Sequence, residues 1–468
     1  MFELLQYAKN TAAITDKGEI LSYSQLHDEV EAFESHVPSR GLICCLCKNE
    51  IGALIGYVAG VCHGHPLIML DGGRDKDYIN TYIEKYNPDY IWISSEKCSE
   101  FDGVVIYERH GYSLVQLLYN VEVSKLPLHD DLALCLTTSG STGSPKLVRL
   151  TKNNIASNAE SIAEYLHITE SERPVTTLPM YYSFGLSVIN SHLIKGATIL
   201  LTDNNIFSKS FWDFFKLTSP TSIAGVPFTY EMLERMGFFK MELPSLKTMI
   251  QAGGKLNAEV VKRYAQYATE TSREFIVMYG QTEASPRMSY LPFEFALTKS
   301  SSIGIPIPGG EFMLYDTKER VIQEPNIEGE LVYKGPNVCM GYAESRADLC
   351  KDDENHGILK TGDVAYKDTE GFFYITGRLK RFVKIWGNRI NLDSIEQKIR
   401  PITPNCACIG DDNKISVFVK DANFVPSIKE LMTKTLKIDK SCFSILVINQ
   451  IPKAKSGKTQ YAELKKSL

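Results

Sequence analysis

The segment at residues 136–148, LTTSGSTGSPKLV, combines glycine, serine and threonine with one lysine, directly after the apolar run DLALCL. Backbone N–H groups of such a loop can converge on phosphate oxygens, while the lysine neutralises charge. The order is not that of a Walker A loop, G-x-x-x-x-G-K-[ST]. KAKSGKT near the C-terminus does not fit that pattern either, because Pro452 stands where the first glycine belongs. Taken alone, the loop is either a flexible linker or a phosphate cradle.

Three further segments combine residue types that can do chemistry. MYGQTEAS places Tyr279, a glycine turn, Thr282 and Glu283 together after the apolar strand pattern EFIVM. LKTGDVAYKDTEGFFYITGR pairs a loop aspartate with an arginine, and IPKAKSGKTQYAEL places another lysine near the chain end. These segments shift the balance for the glycine-rich loop from a flexible linker toward a phosphate cradle.

Composition excludes several classes of function. At 468 residues with 44% hydrophobic content, the chain can bury a large core and divide into domains. A net charge of −5 offers no general attraction to nucleic acid or to an anionic membrane. The first 20 residues lack a secretory pattern, and apolar runs end well before the ~20 residues that span a bilayer. The 11 cysteines show no metal-ligand spacing, so we expect reduced thiols in a cytoplasmic protein.

Short apolar runs alternate with helical patterns over most of the chain, which predicts an α/β fold. GLICCLC, PLIMLD and DYIWIS read as strands, with NEIGALIGYVAGVCHG and DYINTYIEKYN as helices between them. This alternation predicts mostly parallel sheets covered by helices. From about Gly304 the pattern changes to short strands and turns, which indicates a β-rich subdomain. Residues 380–468 are then expected to form a small α+β lid domain of two or three strands and two helices, after an N-terminal domain of residues 1–379.

In this order, the glycine-rich loop, YGQTE, TGD, GRLKRFVKIWGNRI and PKAKSGK resemble the acyl-adenylate-forming enzymes. That superfamily includes acyl-CoA synthetases, aryl acid ligases and the adenylation domains of peptide synthetases. The resemblance extends from LSYSQLHDEVEAF to Lys458 and implies ATP and Mg²⁺ as cofactors. It implies that a carboxylate attacks the α-phosphate of ATP, and that a thiol later displaces AMP from the acyl-AMP.

The resemblance also assigns roles to individual residues. Tyr279 is expected to stack on adenine, Thr282 to bond a phosphate or acyl oxygen, and Glu283 to hold Mg²⁺. Asp363 and Arg378 are expected at the ribose. The loop around the β- and γ-phosphates is assigned to Thr138, Ser139, Gly140, Ser141, Thr142, Gly143 and Lys146.

Three more assignments concern the C-terminal part of the chain. Lys458 matches the family's adenylating lysine, a mobile point charge between the carboxylate and the α-phosphate. Lys380 matches the hinge about which the lid rotates, and Gly387 leaves room for a pantetheine arm on the second lid face. Tyr461 stands where an arginine often follows the terminal lysine motif.

Departures from the family pattern narrow the class of carboxylic acid that this protein is expected to activate. Amino-acid-activating members carry an aspartate in an F-D-x-S segment, but here Gly185 stands at that place in YYSFGLS. A buried α-ammonium without its carboxylate is costly, so an α-amino acid is disfavoured. The acyl pocket is assigned from YYSFGLS, AGVPFTY and QAGGKL to Tyr182, Phe184, Gly185, Ser187, Val226, Phe228, Gly253 and Gly254.

The sequence therefore favours an AMP-forming ligase that transfers a carboxylic acid to coenzyme A or to carrier-protein pantetheine. Two alternatives stay open: an amide-forming ligase, in which an amine captures the adenylate, and an ATP or AMP sensor without turnover. No nucleic-acid partner is expected. The intact Glu283, Asp363, Arg378 and Lys458 disfavour the sensor, since a mere binder needs no mobile lysine.

Overall fold

The computed structural model describes residues 1–118, 126–137, 146–385, 388–411, 414–453 and 459–466. Close contacts divide the chain into two compact units, Met1–Glu311 with Lys334–Leu359 and Phe312–Tyr333 with Lys360–Leu468. These are units of contact, whereas the boundary predicted between residues 379 and 380 is a hinge, and that boundary stays a prediction.

The described residues form helices and strands in alternation. The helices are α1 Tyr23–Ser35, α2 Ile51–His63, α3 Lys76–Tyr86, α4 Lys152–Tyr165, α5 Ser183–Leu193, α6 Lys209–Thr218, α7 Pro227–Arg235, α8 Ala258–Glu270, α9 Leu392–Ile399, α10 Val425–Glu430 and α11 Tyr461–Lys465. The first strands are β1 Thr11–Thr15, β2 Ile20–Ser22, β3 Ile43–Cys47, β4 Leu67–Asp71, β5 Tyr90–Ser94, β6 Gly103–Arg109, β7 Tyr112–Leu117, β8 Leu132–Thr137, β9 Leu147–Thr151, β10 Pro174–Val175, β11 Ile199–Leu201, β12 Ser222–Gly225 and β13 Thr248–Gln251. The others are β14 Glu274–Gly280, β15 Arg287–Leu291, β16 Ile305–Pro306, β17 Glu311–Tyr315, β18 Gly329–Lys334, β19 Gly341–Ala343, β20 Ile358–Lys367, β21 Phe373–Arg378, β22 Phe382–Ile385, β23 Asn388–Asn391, β24 Cys406–Gly410, β25 Ile415–Val419 and β26 Phe443–Val447.

Two sheets organise the first unit. One runs in the order β16-β15-β14-β13-β12-β10-β11-β1-β2 and the other in the order β19-β9-β8-β4-β3-β5-β7-β6. Strands β10 to β14 pair in parallel at the centre of the first sheet, and β3, β4, β5 and β8 do so in the second. Antiparallel pairs lie toward the edges. The predicted α/β class with mostly parallel, helix-covered sheets is confirmed.

The second unit contains the β-rich part and the C-terminal segment. Its sheets are β17-β18-β20-β21, the hairpin β22-β23, and β24-β25-β26. After residue 380 the described residues hold β22 to β26 and α9 to α11. This is more than the two or three strands and two helices expected, because short strands such as β22 and β23, four residues each, give little sequence signal.

The apolar runs of the sequence form buried strands and helices. Every residue of β3 is buried. Helix α2 is buried from Ile51 to Val61, and its apolar residues share one core cluster with residues from strands of both sheets. All 11 cysteines are unpaired, as expected, and most are buried. No helix in the described residues is both long and apolar enough to cross a membrane.

The segment NNIASNAESIAEYLHI predicts a helix that asparagine caps open. In the structure, α4 has Thr151 as its N-cap, and the Thr151 side chain accepts a hydrogen bond from the Asn154 N–H. The Asn154 side chain accepts one from the Thr151 N–H in return, at 2.9 Å. Asparagine therefore completes a capping box rather than opening the helix.

His192 on α5 makes stability depend on pH. Burial lowers its pKa to about 4, while its ring bonds the Val188 carbonyl at 2.8 Å and the field of Arg287 also opposes its charge. Above pH 6.5 the imidazole is neutral in both states. As pH falls from 6.5 toward about 4, His192 binds a proton in the unfolded chain but stays neutral in the folded chain. The free energy of unfolding therefore falls by at most ~1.4 kcal/mol per pH unit.

We expect His192→Asn to lose less stability than the wild type between pH 7 and pH 5, measured by urea unfolding at both pH values. The exposed His36→Gln is the control and should keep the wild-type pH dependence. An unchanged pH dependence in His192→Asn would contradict the assignment.

Candidate functional site

The carboxyl ends of three adjacent parallel strands bring the first group of predicted residues to one sheet edge. Strands β12, β13 and β14 pair in register, for example Gly225 with Gln251 and Gln251 with Val277. Val226 directly follows β12, Gly253 is the second residue after β13, and Tyr279 is the penultimate residue of β14. In open α/β sheets, ligands bind in the crevice outside the carboxyl ends of the strands.

Three of the predicted acyl-pocket residues converge around a fourth, Gly253. A Cβ placed on this glycine would lie 2.8 Å from Tyr182 Oη, 3.1 Å from Val226 Cγ1 and 3.9 Å from Phe184 Cδ1. Its φ of +80° is a backbone conformation that side chains disfavour, so the backbone favours glycine at this position. Burial raises the pKa of the Tyr182 phenol, which keeps this lining neutral.

Ser187 belongs to the same region through helix α5. Its hydroxyl donates to the Phe184 carbonyl at 2.7 Å and accepts from Arg287 Nε at 3.2 Å. The side chain is 2% exposed. A serine, a phenylalanine and an arginine therefore form one buried contact.

Three other predicted pocket residues have different surroundings. A Cβ on Gly185 would lie 2.3 Å from the Pro179 carbonyl oxygen, so this backbone does not accommodate an aspartate. A Cβ on Gly254 would lie 3.2 Å from Pro227. Phe228 is 42% exposed, and its ring lies 6.4 Å from that of Phe207. Their pocket roles stay predictions.

The YGQTE turn is fixed by a tight return of the chain. A Cβ on Gly280 would lie 1.9 Å from the Pro286 carbonyl oxygen, and the Gln281 N–H donates to that same oxygen at 2.9 Å. Only glycine fits where the two backbones approach so closely. The turn then presents Thr282, which is 8% exposed and lies 3.1 Å from the Ser183 hydroxyl at the start of α5.

Glu283 and Lys146 meet on Tyr342, a residue that the sequence had not singled out. The Tyr342 hydroxyl donates to Glu283 Oε1 at 2.8 Å, and Lys146 Nζ lies 3.6 Å from the centre of the same ring. Lys146 also pairs with Glu344 at 3.7 Å. Burial and the Glu283 carboxylate raise the pKa of the Tyr342 phenol. The lysine that ends the glycine-rich loop is thus connected to the expected metal-binding carboxylate through one ring.

Asp363 and Arg378 are cross-strand partners in the second unit. They pair across β20 and β21, and Arg378 Nε lies 2.9 Å from Asp363 Oδ1. Asp363 is 4% exposed, whereas the Arg378 side chain is largely exposed. A buried carboxylate with an exposed arginine beside it suits the predicted ribose contact.

Lys380 lies exposed in the short 3₁₀ turn Leu379–Arg381 between β21 and β22. The next residue is anchored: Arg381 pairs with Asp393 at 2.7 Å and with Glu396 at 2.6 Å. Tyr461 completes this network, because its hydroxyl donates to Glu396 at 3.0 Å and its ring lies 3.8 Å from the Arg381 guanidinium. The tyrosine at the usual arginine position therefore has a structural partner of its own.

Several predicted residues lie outside the described part of the chain. They are Thr138, Ser139, Gly140, Ser141, Thr142, Gly143, Gly387 and Lys458. Their roles stay predictions. Among the described residues, no group of three or more His, Cys, Asp or Glu side chains is arranged to hold a metal ion.

Comparisons with known proteins identify the family and the fold of this chain. A model of the AMP-binding enzyme family matches residues 4–343. Oxalate–CoA ligase of Arabidopsis thaliana is 29% identical over 347 residues, which cover 71% of this chain and 66% of the relative. A 2-succinylbenzoate–CoA ligase of Bacillus cereus is 28% identical over 483 residues, covering 97% and 95%. The o-succinylbenzoate CoA synthetase of Bacillus subtilis, solved with its acyl-adenylate intermediate, superposes with a TM-score of 0.77 at 21% identity over 99% and 97%.

Proposed function

This chain belongs to the AMP-binding enzyme family, and we propose that it is an ATP-dependent, AMP-forming ligase. It activates a carboxylic acid as acyl-AMP and transfers the acyl group to the thiol of coenzyme A or of carrier-protein pantetheine. The observation that carries the proposal is the Glu283–Tyr342–Lys146 cluster beside the carboxyl end of β14. A carboxylate and a cation held on one ring match what a nucleoside triphosphate with its metal ion requires.

The first half-reaction brings a carboxylate onto a polyphosphate, so the site must offset negative charge. Lys146 supplies a cation where the glycine-rich loop ends, and Glu283 faces it across Tyr342. Mg²⁺ usually takes only one or two protein carboxylates and completes its shell with phosphates and water, so a single Glu283 fits it. When bound, the ion neutralises developing charge on the phosphates. Thr282, at 3.1 Å from Ser183, is held in place to donate to a phosphate or acyl oxygen.

Asp363 is proposed to bind the ribose hydroxyls, with Arg378 beside it. A carboxylate has two acceptor oxygens, so it can accept from two vicinal hydroxyls while keeping its arginine partner. Tyr279 is proposed to stack on adenine. Lys380 and Gly387 are proposed to serve the rotation and the thiol channel of the second half-reaction.

The acid is proposed not to be an α-amino acid. At Gly185 a Cβ would already meet the Pro179 carbonyl oxygen, so the carboxylate that pairs with an α-ammonium has no place there. The relatives act on different acids, as the names oxalate–CoA ligase and 2-succinylbenzoate–CoA ligase state, and they share coenzyme A as acceptor. Coenzyme A is therefore the first acceptor to test.

The decisive experiment is exchange of labelled pyrophosphate into ATP, with Mg²⁺ and a panel of fatty, aryl, dicarboxylic, hydroxy and amino acids. Exchange that depends on one acid class supports the ligase. Absence of exchange with every acid, alongside ATP binding, contradicts it and favours the sensor. Product analysis with coenzyme A, a phosphopantetheinylated carrier or an amine then separates the thiol ligase from the amide-forming alternative.

Tyr342→Phe removes one hydroxyl and leaves the ring under Lys146. We expect roughly tenfold slower exchange and a higher Mg²⁺ requirement, because Glu283 loses a charge-assisted hydrogen bond that orients it. The control is Tyr78→Phe, which removes a hydroxyl bonded to Tyr82 on α3 and should leave the rate unchanged. Unchanged Mg²⁺ dependence in Tyr342→Phe contradicts the positioning role.

A further inference from the structure

Arg287 is buried without an acidic partner. It begins β15 and is 2% exposed, and no carboxylate in the described residues lies within ion-pair distance of it. The other two most deeply buried arginines are neutralised: Arg149 pairs with Glu354 at 2.9 Å, and Arg346 with Asp89 at 3.1 Å. A buried charge without a counter-charge is strongly disfavoured. Arg287 therefore stands out as a cation whose partner is supplied by something other than the described residues.

The neighbours of the Arg287 guanidinium are neutral. Nε donates to Ser187 Oγ at 3.2 Å, Nη1 lies 3.5 Å from Tyr165 Oη, and the guanidinium lies 4.8 Å from the centre of the Phe184 ring. Nη2 is buried and has no hydrogen-bond partner in the described residues. An arginine presents a planar fork of N–H donors that fits a carboxylate in bidentate fashion. One edge of that fork is left to bind.

The same phenylalanine borders the proposed acyl pocket. Phe184 contacts the guanidinium and also belongs to the group that converges on Gly253 with Tyr182 and Val226. Ser187, which holds Arg287 Nε, follows one turn later on α5. The Phe184 ring therefore lies near both the Arg287 guanidinium and Gly253, where the acyl pocket is proposed.

We propose that Arg287 determines substrate specificity by binding a second carboxylate, so that the acid is a dicarboxylic acid. One carboxylate reacts with ATP, and the other pairs with the buried guanidinium. This inference rests on the proposed ligase function and names the substrate class for that site. An acid ending in a methyl group leaves the guanidinium unpaired, which is how the site discriminates against it.

The test compares matched acids in pyrophosphate exchange. A homologous series of aliphatic and aromatic dicarboxylic acids is assayed beside the monomethyl ester of each, which keeps the length and masks one charge. We expect at least one diacid whose kcat/KM exceeds that of its ester by roughly 30-fold or more, the size of a charged hydrogen-bonded pair. This comparison uses the wild-type protein and needs no variant.

Arg287→Met then removes the charge while keeping a flexible side chain. In this variant the ratio of kcat/KM for the diacid to kcat/KM for its ester should fall to within a few-fold of one, mainly because KM for the diacid rises. Arg287→Lys should retain part of the preference for the diacid. Thermal unfolding and ATP binding are measured on each variant, and Arg263→Met, an exposed arginine paired with Glu234, is the matched control.

The outcomes separate the two proposals. Exchange with monocarboxylic acids or esters at rates equal to those of the diacids overturns the Arg287 inference and leaves the ligase proposal standing. The inference is equally overturned when folded Arg287→Met keeps the diacid preference. Absence of exchange with any acid overturns the ligase proposal itself.

Discussion

Lys458→Ala is expected to lower the rate of acyl-adenylate formation by about two orders of magnitude. Lys458 matches the adenylating lysine of the family in the segment IPKAKSGK, and its proposed task is to place a positive charge between the attacking carboxylate and the α-phosphate. Charge on the reacting oxygens develops mainly in the transition state. The loss should therefore appear in kcat, with the affinity for ATP close to that of the wild type.

Lys453 provides the matched control for this experiment. It stands five positions earlier in the same basic segment, is exposed, and its backbone bridges Thr459. Lys453→Ala removes the same charge from the same region and should leave adenylation within about twofold of the wild type, as expected of a solvated surface lysine.

The second half-reaction gives the sharper comparison. Supplied with synthetic acyl-AMP and coenzyme A, Lys458→Ala should form the thioester at nearly the wild-type rate, because AMP release no longer needs a cation at the α-phosphate. Equal losses in both half-reactions would show a structural defect. An unchanged rate of acyl-adenylate formation in Lys458→Ala would contradict the assignment of Lys458 as the adenylating lysine.

The fold was largely predictable because its elements are long or strongly apolar. The run ICCLC reads as a buried strand, and the 13-residue α2 beside it reads as a buried helix, since periodicity and length are local properties. Thr282 and Glu283 could be placed on one turn for the same reason, because both belong to the short motif YGQTE. The need for glycine at Gly280 is also a local property, because the two backbones of a single hairpin approach closely there.

The contacts that complete the site join residues far apart in the sequence, so local sequence patterns could not predict them. Tyr342 lies 59 positions from the Glu283 it bonds, and Arg287 lies 100 positions from Ser187. Neither stands in a segment whose spacing suggests chemistry. The pocket role of Phe228 stays a prediction, and its ring is 42% exposed. An arginine at the start of a β-strand becomes informative only when its burial is known, together with the absence of a carboxylate partner in the described part of the chain.

Glu283→Gln should reduce pyrophosphate exchange by roughly two to three orders of magnitude at low Mg²⁺. The amide keeps the size of the side chain and one acceptor oxygen, so the bond from Tyr342 can persist while the negative charge is lost. Hard cations prefer carboxylate oxygen, and the charge is what holds the ion against water. The effect should thus exceed that of Tyr342→Phe, which leaves the carboxylate in place.

Glu344→Gln is the control, because Glu344 is an exposed carboxylate in the same neighbourhood and pairs with Lys146 at 3.7 Å. Exposed ion pairs contribute little, so its exchange rate should stay within a few-fold of the wild type. Both variants are assayed over a range of Mg²⁺ concentrations at fixed ATP.

The Mg²⁺ dependence decides what Glu283 does. A metal ligand predicts that Glu283→Gln shifts the half-maximal Mg²⁺ concentration upward and that part of the lost rate returns at high Mg²⁺. A general electrostatic role predicts a lower rate with the same half-maximal Mg²⁺, which would contradict the metal assignment. Because Tyr342 contacts both Glu283 and Lys146, the double variant with Tyr342→Phe adds a further test: a shared task predicts that the two losses are less than additive.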